Sequence, residues 1–166
     1  MIAIRFKERC EGLIKSLRKD YPSLHDSAII IEIKNLKNSS MFAKKIGERN
    51  FKIQVDYRKY KNANDNQILG AFAHELVHFE FYTKWSYFRY MIDFLFYRIS
   101  KKYVRKMESI VDSIIIKKGY GKALMANREM RRRDMTKEEF ARAREIYMFG
   151  DDISKKMRDL KYDTKK

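Results

Sequence analysis

Apolar residues recur at helical spacing through Ile68, Leu69, Phe72 and Leu76, and the pentapeptide His74-Glu75-Leu76-Val77-His78 is set inside that repeat. A helix stacks residues i and i+4 on one face, so the two imidazoles project side by side and can share a metal ion. Glu75 follows the first histidine, where its carboxylate can hold a water on that metal. The pattern constrains the fold strongly. Two histidines are only two of the three protein ligands that a catalytic zinc usually takes, so another part of the chain has to return to this helix.

The choice of third ligand is narrow. The chain has three histidines and one cysteine, and none of these follows His78. His25 lies far upstream. Phe81 and Lys84 occupy the places where a glycine and a third histidine follow the motif in one common zinc pattern. A carboxylate is therefore required. Glu108 stands on the next strongly periodic helix but one, with Asp112 one turn later. Glu80, two residues after His78, faces away from both histidines on a straight helix. Asp93 lies within a helix crowded with aromatic residues.

The rest of the chain supplies an α+β frame. Ile2, Phe6, Cys10, Leu13, Ile14 and Leu17 mark a first helix, which Tyr21-Pro22-Ser23 ends. Isoleucine-rich residues 28–34 read as a strand. Residues 35–50 read as loop with a short strand. Phe51, Ile53, Val55 and Tyr57 alternate with Lys52, Gln54, Asp56 and Arg58, the pattern of a half-exposed strand at a sheet edge. An edge strand can take up an extended substrate as one more strand. Lys52 and Arg58 equally suit an edge blunted with charge. Asn64 or Asp65 caps the motif helix. Helices are then expected over residues 86–100 and 102–117, the latter closed by Gly119-Tyr120-Gly121. A short helix to Arg132 follows. Thr136 and Glu139 form a capping box that opens a helix to Phe149, and residues 153–162 make a last charged helix. Residues 1–122 are expected to form the catalytic domain, with 123–166 an accessory helical segment packed on it or flexible.

The run Glu108-Ser109-Ile110-Val111-Asp112 behind an H-E-x-x-H resembles the E-x-x-x-D signature of gluzincins. The order of elements over residues 1–122 is similar to the minigluzincins, small relatives of the catalytic core of integral-membrane CAAX-type zinc peptidases. The resemblance implies one zinc ion per chain, bound by His74, His78 and Glu108. It also implies that Asp112 hydrogen-bonds a ligating histidine, which fixes the tautomer and raises its basicity. Members of that group can be latent, with a terminal segment across the cleft. That gives the segment after Gly121 an expected part in controlling access. One departure is the long aromatic stretch between residues 79 and 107, which is too charged to span a membrane.

The expected activity is hydrolysis of peptide bonds in a peptide or protein substrate. Water on a zinc ion has its pKa lowered from about 16 to about 7. Glu75 would take its proton and later pass it to the leaving amine. The oxyanion needs a donor besides the metal. Tyr103, Arg105 and Tyr120 lie near Glu108 in sequence and are candidates.

Composition bears on partners. The chain has 38 Lys+Arg against 22 Asp+Glu, a formal net charge of +16. Such an excess favours polyanions, either nucleic acid or an anionic membrane surface. A solvated lysine-rich surface accounts for the same excess. The alternative to an enzyme is thus a basic module that binds nucleic acid or lipid and keeps a vestigial zinc site. One cysteine excludes an internal disulfide. Residues 1–6 lack a secretory signal pattern, and no stretch reaches the ~18 apolar residues of a membrane span. A cytoplasmic protein, free or associated with a membrane surface, is expected.

Overall fold

The structure, a computed structural model, describes residues 2–163 apart from residue 38. Residue 1 of the expected catalytic domain and residues 164–166 of the expected accessory segment lie outside the described residues. Helix α1 (Ile2–Leu17) buries Phe6, Cys10, Ile14 and Leu17, one per turn. Burial pushes the Cys10 thiol up to about 12, so it stays protonated and packs as a small apolar group. Two short 3₁₀ turns, Arg18–Asp20 and Pro22–Leu24, flank Tyr21. The buried Tyr21 hydroxyl donates to the Ala73 carbonyl at 3.0 Å, which pins this corner to the motif helix.

Three strands follow: β1 (Ala28–Ile33), β2 (Met41–Lys45) and β3 (Asn50–Val55). Their order is β1-β3-β2. β1 runs parallel to β3, pairing Ala28 with Asn50 through Ile33 with Val55. β2 runs antiparallel to β3, pairing Met41 with Val55 and Lys45 with Phe51. The strand at 50–55 is therefore central, and the edge expected at Phe51, Ile53, Val55 and Tyr57 is not there. Alternation reports which face of a strand is buried, not how many neighbours it has. Phe51, Ile53 and Val55 do point into the core, while Glu32 of β1 pairs with Lys52 and accepts from Gln54 on the other face. Tyr57 lies past the strand in the short helix α2 (Tyr57–Tyr60), its ring edge-on to Phe6. The edges belong to β1 and β2.

Asp56 ends β3 and caps α2. Its carboxylate is buried and accepts from the backbone of Leu36 and Arg58 and from the Arg58 guanidinium. The Arg58 guanidinium holds it well below the usual carboxylate range, at about 2. A depressed pKa contributes stability above the unfolded value, and that stability is lost as pH falls through the folded value. About 2 kcal/mol should disappear between roughly pH 4 and pH 2. Chemical denaturation of Asp56→Asn across that window should show a correspondingly flatter pH dependence.

Helix α3 (Asp65–Lys84) starts at Asn64, which exchanges capping hydrogen bonds with Gln67. The apolar spacing at Ile68, Leu69, Phe72 and Leu76 alone implies one buried face. Instead, most of it from Ile68 to Phe79 is buried, because α1, the sheet and two later helices surround it. Phe79 stacks on Phe51, with ring centres 4.3 Å apart. Helix α4 (Tyr87–Ile99) and helix α5 (Lys101–Lys117) meet at Ser100, whose hydroxyl caps α5. Gly119, at φ 91°, lets the chain leave α5 in a conformation that other residues rarely adopt.

Helix α6 (Gly121–Arg133) packs along α3, burying Ala123, Leu124, Asn127 and Arg128. The boundary expected after residue 122 thus falls at the start of a helix that is part of the core. The approach is close: a Cβ on Gly70 would lie 2.1 Å from the Ala123 carbonyl oxygen. The obstruction is backbone, so relief requires α3 and α6 to separate. Gly70→Ala should cost about 3 kcal/mol and lower Tm by roughly 10 °C. An unchanged melting curve would show that the helices do not approach this closely.

Helix α7 (Lys137–Arg144) has the expected capping box at Thr136 and Glu139, but it stops at Arg144, short of Phe149. Residues 145–149 form a turn that returns to α3. Gly150 opens α8 (Gly150–Asp163) rather than ending the previous helix, and Asp151 and Asp152 complement its N-terminus.

Candidate metal centre

Helix α3 presents His74 and His78 on one face, and α5 crosses it so that Glu108 meets them. The His74 and His78 Nε2 atoms are 3.3 Å apart. Glu108 Oε2 is 3.0 Å from His74 Nε2, and Oε1 is 3.7 Å from His78 Nε2. All three residues are buried, and one ligand atom from each lies within 4.8 Å of the others. Donors on a tetrahedral zinc at ~2.0–2.1 Å are about 3.3 Å apart, and the separations of His74 Nε2 from His78 Nε2 and from Glu108 Oε2 lie near that value. Glu108 Oε2 is buried and makes no hydrogen bond among the described residues, as suits a lone pair directed at a cation. The group can hold a metal ion.

The surroundings orient the ligands. Asp112 Oδ1 lies 3.2 Å from His74 Nδ1; in the neutral imidazole that contact favours the proton on Nδ1 and leaves the Nε2 lone pair for a metal. The same oxygen accepts from Arg128 of α6 at 3.0 Å, and Oδ2 accepts from the Met148 backbone. Tyr97 of α4 donates to Glu108 Oε1 at 3.3 Å. Burial disfavours the His74 imidazolium, but Glu108 and Asp112 outweigh it and raise its pKa to about 9. Burial lowers His78 to about 4. Burial also opposes ionisation of Glu108, yet His74 and His78 hold it down at about 2.

Glu75 borders a cavity of ≈ 150 Å³ shared by His74, Ser40, Met41, Arg128, Arg131 and Tyr147. Its carboxylate makes no hydrogen bond or ion pair with another described residue. Burial raises its pKa, which is the direction a proton acceptor near neutral pH requires.

Of the oxyanion candidates, none borders this cavity. The Tyr103 hydroxyl donates to Asp93, the Tyr120 hydroxyl to Asp20, and Arg105 is exposed. Nearness to Glu108 along the chain does not decide which groups face it across the cleft. The rival ligands are also engaged elsewhere: Asp93 by Tyr103, and Glu80 by Ser23 and Lys118. Nothing in the sequence places Arg128, Arg131, Tyr147 or Tyr97 at this site. In a chain with 38 Lys+Arg and 11 Tyr, no local pattern distinguishes them.

The chain matches no protein-family model, no curated protein and no solved structure.

Proposed function

We propose that the protein is a zinc-dependent endopeptidase of the gluzincin type. The observation that carries the reading is the convergence of His74, His78 and Glu108 with a free Glu75 carboxylate beside them. A zinc ion in this donor set supplies Lewis acidity, acidifying a water and polarising a carbonyl. His74 and His78 offer Nε2, and Asp112 keeps His74 in the required tautomer. Glu75 accepts the proton of the attacking water and returns it to the departing amine. The Tyr147 hydroxyl, which burial keeps protonated with a pKa raised to about 12, and the Arg131 guanidinium are donors for the developing oxyanion.

Met41 borders the cavity, and β2 has an unpaired edge, so β2 takes the place that β3 was expected to fill as the strand for an extended substrate. A cavity of ≈ 150 Å³ roofed by Tyr147 is too small for a peptide segment, which fits a latent state opened by movement of the 145–149 turn. Elemental analysis should find one zinc per chain, lost in His78→Ala. A peptide library should then be cleaved only by the loaded protein. Protein that takes up no divalent metal would overturn the reading.

A further inference from the structure

We propose that α4 is an interfacial helix that seats the protein on an anionic lipid surface. The helix is inside out. Its acidic group and two of its tyrosines face the protein: Tyr90 packs against Tyr82, Asp93 is buried on Tyr103, and Tyr97 reaches Glu108. Its hydrocarbon faces water, with Phe88, Met91, Leu95 and Ile99 forming a stripe at one residue per turn. Phe88 is 74% exposed and Ile99 67%. A surface helix ordinarily puts these faces the other way round. Seven of the twelve exposed large apolar side chains among the described residues lie on this one helix. Concentration of that kind marks an interaction surface rather than scattered surface apolarity.

Charge decides the occupant. Between Lys84 and Lys106 the only acidic residue is Asp93, which is turned inward. The exposed charges are cations: Lys84, Arg89 and Arg98 along the stripe, Lys101 and Lys102 beyond it. Arg89 lies over the Trp85 ring and Arg98 over Phe94, the pairing of aromatic and cation that suits a headgroup layer. A second copy would bring the same cations against themselves. Nucleic acid has no use for the aliphatic stripe of Met91, Leu95 and Ile99. A layer of anionic headgroups over hydrocarbon satisfies both. No helix among the described residues is long and apolar enough to cross a membrane, so α4 would lie in the interface. The proposal does not depend on the peptidase reading.

Trp85, the only tryptophan, reports on the start of this helix. The full chain should be mixed with phosphatidylcholine vesicles with and without phosphatidylglycerol, and followed by Trp85 emission and co-sedimentation. A blue shift and pelleting are expected with the anionic vesicles, weakening as salt rises. Phe88→Ser/Leu95→Ser/Ile99→Ser, at exposed positions that leave the fold intact by circular dichroism, should lower partitioning roughly a hundredfold. Lys101→Glu/Lys102→Glu should lower it at least about thirtyfold on anionic vesicles. Three outcomes would overturn the proposal: no pelleting with anionic vesicles, equal partitioning of the triple variant, or a lipid-free dimer that the triple variant dissolves.

Discussion

On the proposed peptidase reading, Glu75→Gln is expected to keep the metal and lose the chemistry. Glutamine preserves the shape of the side chain and leaves His74, His78 and Glu108 untouched, so metal stoichiometry and KM should stay near those of the unaltered protein. It cannot take a proton at neutral pH. Loss of a positioned general base costs roughly 10²–10⁴ in rate, about 3–6 kcal/mol in the barrier. The whole deficit should appear in kcat, because the carboxylate is called on only as the proton moves. Stability should not fall. The Glu75 carboxylate makes no hydrogen bond or ion pair among the described residues, and burial already opposes its ionisation. Hydrolysis at an undiminished rate by metal-loaded Glu75→Gln would remove Glu75 from the mechanism.

The parts of this site that were legible in the sequence are those set by local geometry. His74 and His78 meet because an α-helix brings i and i+4 together, whatever the rest of the chain does. The lack of histidine or cysteine after His78 required a carboxylate, and the likeness of residues 108–112 to the gluzincin E-x-x-x-D signature pointed to Glu108. The α+β layout, the N-cap read at Asn64 or Asp65 and the capping box at Thr136 are local in the same sense. What stayed hidden depends on partners distant in sequence. The alternation at residues 51–57 identified the buried face of β3 but was silent on its two neighbours, so a central strand was read as an edge. The close contact of Gly70 with Ala123 makes α6 part of the core, yet the sequence beyond Gly121 looks like a polar tail because α6 buries Ala123, Asn127 and Arg128 beside the single large apolar residue Leu124. Arg128 is the sharpest case. Burial of a guanidinium is decided by the carboxylate it meets, and Asp112 is 16 residues away on another helix.

That pair has a large expected effect of its own. Asp112→Ala should destabilise the fold by about 3–5 kcal/mol, a large part of the roughly 5–15 kcal/mol that holds a domain of this kind together. Arg128 is 3% exposed, and Asp112 is the one carboxylate within salt-bridge distance of it among the described residues. Its aromatic neighbour Tyr147 offers a ring face at 4.4 Å, which cannot replace a carboxylate. Removing both charges separates the roles. Asp112→Leu/Arg128→Met leaves no orphan charge, so denaturant midpoints should recover to within about 1 kcal/mol of the starting protein. Metal affinity should not recover with them. Without the Asp112 oxygen the His74 ring is free to turn and to change tautomer, which weakens binding about 10- to 100-fold. A double variant as unstable as the single one would mean that the ion pair is not what Asp112 contributes to the fold. A double variant with undiminished metal affinity would mean that His74 is held in place by its packing alone. The expected split, with stability restored and metal still weakly bound, arises because Oδ1 of one carboxylate serves both His74 and Arg128. The metal centre and the packing of α6 on α5 are thereby tied at a single atom.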